Sequence, residues 1–232
     1  MNAIFSRAVP LDKLSLERIQ FGDDGQFDDL FSFFRVKEVR IGNTNAKSIT
    51  ADAFSSSAFE ITSIDLKSNR FNDDGKVFEF LEKFVNLEKL DISNNLLTYI
   101  PSGSFSKMAR LQSVNLQNNA IRLVQKHAFA LPIGSQIYRS LNIDLQSNEL
   151  TGNSFEPDFV FSRDTLKVIL NLERNKIQTL EEDMFKSVFE RTANKNSIIL
   201  NENPIQCTSI LRELLRKYFV EFEDFGEDFR FN

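Results

Sequence analysis

The sequence has no Trp, one His and one Cys among 232 residues. With His127 alone, a Ser-His-Asp arrangement or a His-based metal site has too few members. With Cys207 alone, no internal disulfide can form, and cysteine usage by itself fits a reducing compartment. The glycines at 22, 25 and 42 do not form a phosphate-cradling loop. No apolar run approaches the roughly 20 residues of a membrane span, and residues 1–10 lack the long apolar core of a signal peptide. No Asn-x-Ser/Thr acceptor for glycosylation occurs, despite many Asn residues. The formal net charge of −5 disfavours a general affinity for nucleic acid or anionic membrane.

What is abundant is Phe, 24 residues against three Tyr, and a repeat explains most of it. In Leu87-Glu88-Lys89-Leu90-Asp91-Ile92-Ser93-Asn94-Asn95-Leu96-Leu97, apolar residues stand at 87, 90, 92 and 97, with Asn at 95. The same spacing recurs in seven other segments, and the Asn slots fall at 19, 44, 69, 95, 119, 148, 175 and 203. Ile19 and Thr44 occupy the first two slots in place of Asn. Ser140 and Lys167 stand where coils six and seven should begin with an apolar residue. Near-constant spacing with variable loops is the signature of a solenoid, in which each coil buries its apolar face on its neighbours.

The alternation around each pair of apolar residues predicts a short strand, with aliphatic residues inward and polar residues outward. The interior Asn is tolerated because its amide can bond backbone groups of its own turn and of the adjacent coil. Ten residues after the slot, Phe54, Phe105, Phe129 and Phe185 recur and predict a Phe stack on the convex side. Asp73-Asp74-Gly75 before Val77, Phe78, Leu81 and Phe84 predicts a capped convex helix. The loop of coil six carries Phe155, Phe159 and Phe161 around Pro157.

These residues resemble the leucine-rich repeat superfamily over about residues 11–219. Leu200-Asn201-Glu202-Asn203-Pro204-Ile205-Gln206-Cys207, with Ile210, Leu211, Leu214, Leu215, Tyr218 and Phe219 after it, resembles the C-terminal cap of extracellular members. In that family N-P-x-x-C opens a disulfide-bonded helix. Here Ser209 replaces the second Cys, and no later Cys follows. The stretch from Leu180 to Pro204 is similar to the last repeat of arthropod secreted members, often related to the non-catalytic subunit of a crustacean luciferase. The resemblance implies an α/β solenoid: a curved horseshoe with a parallel concave sheet of about eight strands and an irregular or helical convex side. Residues 1–206 would form the array, with a first coil near 11–21 as N-terminal cap. Residues 207–232 would form a helical cap and an acidic, Phe-rich tail that either closes the last coil or serves as a docking motif.

The template also writes out the concave surface. One outward column is Arg40, Asp65, Asp91, Asn115, Asp144 and Asn171. A second is Lys67, Ser93, Gln117, Gln146, Glu173 and Asn201, with Glu88, Lys89 and Gln112 at the edge. The Asp/Asn column is either a docking strip for a protein or basic ligand, or simply a means of keeping strands soluble. Arg40 and Arg174 are the candidate anchors, since binding hot spots favour Arg. The acidic pairs Asp23-Asp24, Asp28-Asp29 and Asp73-Asp74 lack the ligand spacing of a calcium loop. Cys207 has no indicated base to make it a nucleophile.

The expectation is a non-catalytic protein-binding module without cofactor, whose partner is a protein ligand or an enzyme subunit. The other classes are an accessory subunit of an enzyme complex and an intracellular regulatory scaffold. The resemblance implies an extracellular setting, while the single Cys and the absent leader and glycosylation acceptors imply a cytoplasmic one.

Overall fold

The structure, a computed structural model, describes residues 11–20, 26–27, 31–32, 34–74, 76–132, 140–157, 159, 167–181, 196–206, 208–209 and 212–213. In chain order the strands are β1 (Leu11–Ser15), β2 (Gln26–Phe27), β3 (Val36–Arg40), β4 (Ser48–Ile49), β5 (Ser63–Asp65), β6 (Lys89–Asp91), β7 (Tyr99–Ile100), β8 (Ser113–Asn115), β9 (Leu123–Val124), β10 (Ser140–Asp144), β11 (Lys167–Asn171) and β12 (Ser197–Ile199). Eight of them form one sheet in the order β1-β3-β5-β6-β8-β10-β11-β12. Every neighbouring pair in it is parallel, and Leu14, Val39, Ile64, Leu90, Val114, Ile143, Leu170 and Ile198 stand side by side. The eight-coil register read from the sequence is the register of the sheet. Two small ladders, β2–β4 and β7–β9, run along the side where the chain leaves the sheet.

The core is one continuous cluster from Phe31 to Leu180. Each fully buried Leu, Ile or Val contributes about 1.5–3 kcal/mol, but only once a neighbouring coil covers it. The first coil shows this dependence: Leu11 is 44% and Ile19 45% exposed, whereas Leu87 and Leu111 at the first-coil Leu11 position are 0% and 3% exposed.

The Asn slots hold the coils in register. Asn95 accepts a bond from the Phe71 N–H of the preceding coil at 3.1 Å, and its amide nitrogen reaches the carbonyls of Leu66, Ile92 and Ser93. Asn119, Asn148, Asn175 and Asn203 repeat the pattern with Leu97, Ile121, Leu150 and Ile177. Asn69 begins it, taking the Thr44 N–H, the Thr44 hydroxyl and the Ala46 N–H. Thr44 is fully buried but works only as a donor to Asn69.

A second device appears in every coil. The residue just before the slot is left-handed: Arg18, Asn43, Ser68, Asn94, Asn118, Ser147, Arg174 and Glu202 have φ between 52° and 60°. This turns the chain sharply out of the strand, at a steric cost that, among residues with a side chain, Asn bears best.

In coils six and seven the missing first apolar residue is supplied one position later. Leu141 and Val168 are buried and paired across β10 and β11. Ser-Leu-Asn-Ile-Asp-Leu and Lys-Val-Ile-Leu-Asn-Leu alternate strictly, so these strands start earlier than β5, β6 and β8 and turn Ser140 and Lys167 outward.

The convex side is aromatic. Phe105 and Phe129 stack at 5.0 Å between ring centres, and Phe54 stacks at 5.4 Å on Phe31. Phe78, in the short helix α1 (Lys76–Leu81), meets Phe105 edge-on, and Phe159 meets Phe129 in the same way. Asp74 accepts the Lys76 N–H and so caps α1 as expected, while Asp73 reaches across to the Thr98 N–H and hydroxyl. His127 is exposed in the turn before Ala128. Phe161, Phe185, Cys207 and the tail from 214 lie outside the described residues. Before that boundary, Ser209, Arg212 and Glu213 are helical, and the Arg212 N–H donates to the Thr208 carbonyl.

Candidate functional site

The eight parallel strands present one continuous face. Arg40, Asp65, Asp91, Asn115, Asp144 and Asn171 stand in register on it, as the repeat predicts. Their side chains mostly turn back on the fold. The Asp65, Asp91, Asn115, Asp144 and Asn171 side-chain oxygens each accept the backbone N–H two residues on, at 3.0–3.2 Å. This is the Asx turn, by which a short polar side chain stands in for a backbone acceptor. The column therefore steers the chain from strand into turn. Arg40 makes no such bond and is exposed.

The second column is mixed. Lys67, Gln117, Gln146 and Glu173 are partly exposed. The Lys67 ammonium is 3.4 Å from Asp65, and the Gln146 amide donates to Glu173 at 3.2 Å. Ser93, expected to be outward and available, is instead 1% exposed. Its hydroxyl donates to Asp91 at 2.6 Å, so a small side chain has folded under the turn. Arg174 sits at a left-handed turn rather than in the sheet, and its guanidinium grips Glu202 of the next coil with two bonds at 2.8 and 2.9 Å. That pair holds the Glu202 carboxyl below its usual range and raises Arg174 above its own.

A third column escaped the sequence reading. Lys89 is no edge residue: it stands inside the sheet, in register with Glu38, Ser63, Ser113, Asn142, Ile169 and Ser197. Glu88 and Gln112 lie one step before it, partly buried, with the Glu88 carbonyl receiving the Gln112 N–H. The signal was available in the polar and apolar alternation of β10, which fixes Asn142 as outward; the apolar run Val168-Ile169-Leu170 of β11 carries no such signal, and only its burial turns Ile169 outward.

Charge is unevenly spread over the face. Coils one to four carry Lys13, Glu38, Arg40, Asp65, Lys67, Lys89 and Asp91. Beyond Ser113 the outward residues are chiefly amides, with Asp144 and Glu173 the acids in the two columns. Among the described residues no cluster of His, Cys, Asp and Glu has the makings of a metal site, and no helix is long and apolar enough to cross a membrane.

Residues 85–131 match the leucine rich repeat family model. Mouse podocan is 30% identical over 126 residues, which is 53% of this chain and 18% of podocan. A chain of the LRIM1/APL1C complex is 19% identical with a TM-score of 0.51, over 67% of this chain and 27% of that one. A leucine-rich repeat protein of Leptospira interrogans is 18% identical with a TM-score of 0.52, over 89% of this chain and 53% of that one. A chain of the octameric complex of latrophilin 3, Unc5D and FLRT2 is 15% identical with a TM-score of 0.50, over 85% and 69%. The structural likenesses show the solenoid fold. The chain spans less than a fifth of podocan and about a quarter of the LRIM1/APL1C chain.

Proposed function

We propose, with a leucine-rich repeat solenoid as the premise, that this chain is a non-catalytic recognition module that holds a protein partner on its concave face. The observation that carries the reading is geometric. One register runs through eight strands and leaves columns of solvent-reaching side chains on a single uninterrupted face. Arg40, Lys89, Gln117 and Asn142 belong to it without holding any turn together, so their identities are free to serve a ligand. Solenoids use such faces for binding because each coil adds a few contacts to an extended surface. The similar chains from the LRIM1/APL1C and latrophilin 3–Unc5D–FLRT2 structures come from protein complexes, which supports a protein as the ligand.

The accessory-subunit reading is a special case, in which the partner is an enzyme. The extracellular setting rests on the resemblance of residues 200–207 to an extracellular cap; the lone Cys207 suits a cytoplasmic one, and fractionation of native tissue decides between them.

The test is capture of the partner from native tissue, followed by measurement of its affinity for variants. Arg40→Glu, Lys89→Glu and Asn142→Arg together should weaken binding at least about tenfold, as loss of central contacts does. Glu79→Lys, at an exposed position of the otherwise buried α1 and away from the sheet, should leave it unchanged. The reverse pattern sinks the concave-face reading. Catalytic activity that co-purifies with the partner identifies the accessory-subunit case.

A further inference from the structure

Neighbouring coils are tied together through the slot residue, and these ties stop short of the first coil. In coils three to eight the slot Asn donates its amide to the preceding coil, at the carbonyl three residues before that coil's own slot. Asn69 reaches Ile41 in this way, Asn95 reaches Leu66 and Asn203 reaches Leu172, and the three coils between do the same. The equivalent carbonyl of coil one belongs to Leu16, and the residue placed to reach it is Thr44. The Thr44 hydroxyl turns the other way and donates to Asn69 at 2.8 Å. Among the described residues, no side-chain amide ties the Leu16 carbonyl to coil two.

What holds residues 11–20 is the strand pairing of β1 with β3, continued by the Leu16 and Arg18 N–H groups, which donate to the Arg40 and Gly42 carbonyls. Asp12 meets Lys37 at 2.8 Å, but its carboxylate is 90% exposed, and so open an ion pair contributes little. Leu14 and Leu16 are only partly buried, and Leu11 and Ile19 are exposed, whereas Val36, Val39 and Ile41 of coil two are covered. The convex return of coil one is anchored separately. There β2 pairs with β4, the Ser56 N–H donates to the Ser32 carbonyl, and Phe31 stacks on Phe54. None of these contacts involves residues 11–20.

We propose that residues 11–20 are a lid on the first end of the sheet, which opens and closes as a unit while coils two to eight and the convex return of coil one stay folded. In a solenoid, stability is close to a sum of coil and interface contributions. A unit whose interface lacks a bond that the others have, and buries less apolar surface, opens at lower cost than the whole. Opening makes β3 the edge of the sheet. The Arg40 and Gly42 carbonyls lose their donors, Val36, Val39 and Ile41 lose their cover, and Lys13 and Ser15 leave the concave columns. Such an edge can pair with another extended strand in place of β1, so the lid controls access to β3.

The test is amide hydrogen exchange of the full chain, read by mass spectrometry of its peptides. Relative to intrinsic rates, the peptide spanning 11–20 should exchange at least about a hundredfold faster than that spanning 87–97. The peptide spanning 36–44 should stay protected, because the Ile41, Asn43 and Thr44 N–H groups bond to coil three and not to the lid. Thr44→Asn supplies the missing amide and should slow exchange in 11–20 about fivefold, the worth of one net hydrogen bond, with 87–97 unchanged. Leu16→Ala should speed exchange in 11–20 about tenfold and leave the urea midpoint of the remaining coils where it was. Equal protection of 11–20 and 87–97, or exchange of 36–44 together with 11–20, overturns the lid. So does a folded Thr44→Asn protein without slowing, or a urea midpoint that falls in Leu16→Ala, since either result makes coil one part of the same cooperative unit as the rest.

Discussion

The two sides of each coil are built by different rules. On the concave side the same bonds recur coil after coil: an Asn bridges to the preceding coil, a left-handed residue stands before it, and from coil three to coil seven an Asp or Asn caps the turn. On the convex side no two coils need agree. One uses Phe54 with a 3-10 turn, the next uses α1, and coil six uses Phe155 and Phe159. Hydrogen bonds are directional and come in whole units, so a coil either makes them or leaves groups buried and unpaired. Packing needs only volume of about the right size, which several sequences supply.

That contrast predicts its own largest effect. Asn148→Leu keeps the volume but strips the Ile121 N–H of its acceptor and takes one of two donors from each of the Leu116, Leu145 and Gln146 carbonyls, which keep Asn119, Asn175 and the Asn118 N–H. The expected loss is about 3 kcal/mol, read as a lower urea midpoint. A loss below that of a convex Phe-to-Leu change would break the comparison.

Gly152 tests where convex tolerance ends. A methyl group there would stand 2.6 Å from the Thr179 carbonyl oxygen and 2.8 Å from its hydroxyl. The nearer atom is backbone of the next coil, which cannot swing aside. Gly152→Ala is expected to cost about 2 kcal/mol by overpacking, and Thr179→Ala in the same chain should recover only a part. Full recovery would mean that volume alone matters here too.

Phe129→Leu removes one member of the stack on Phe105. Neighbouring rings can relax into the space, so the expected cost is about 1 kcal/mol, again from urea unfolding. A cost matching Asn148→Leu would make the Phe column as exacting as the Asn column.

The same division decides what the sequence could reveal. The slots and the strand register were legible because six of the eight slots hold Asn at one spacing, from Asn69 to Asn203. The left-handed turns were not, since Arg18, Ser68, Arg174 and Glu202 are ordinary residues forced into that shape by the coil around them. The Asx role of Asp91 and Asn115 was hidden behind a plausible binding column, because the same residue types serve both. Ser93 was misplaced for a related reason: a small hydroxyl can fold beneath the turn where Gln117 and Gln146 cannot. Ile169 was missed as an outward residue because a template searched for inward apolar residues has no slot for outward ones. Phe54 was placed correctly, but its partner Phe31 stands outside the ten-residue rule.

The smallest effect concerns a charge that the convex side accommodates. Lys83, after α1, donates to the Ala51 and Ala53 carbonyls and lies 4.9 and 5.1 Å from the ring centres of Phe80 and Phe84. Burial, partly opposed by Asp52, pushes its ammonium down to about 8. An unfolded lysine titrates at about 10.4. Between those values the unfolded chain holds the proton that the folded chain has released, so stability should rise with pH across that window and be flat with respect to this group below it. Because other groups titrate as well, the measurement is the difference in urea midpoint between the unaltered protein and Lys83→Met. That difference should move in favour of the unaltered protein from pH 8 to pH 10. Movement in the other direction would mean that two carbonyls and two rings outweigh burial for the ammonium, and that the convex side too can depend on directed bonds rather than on volume.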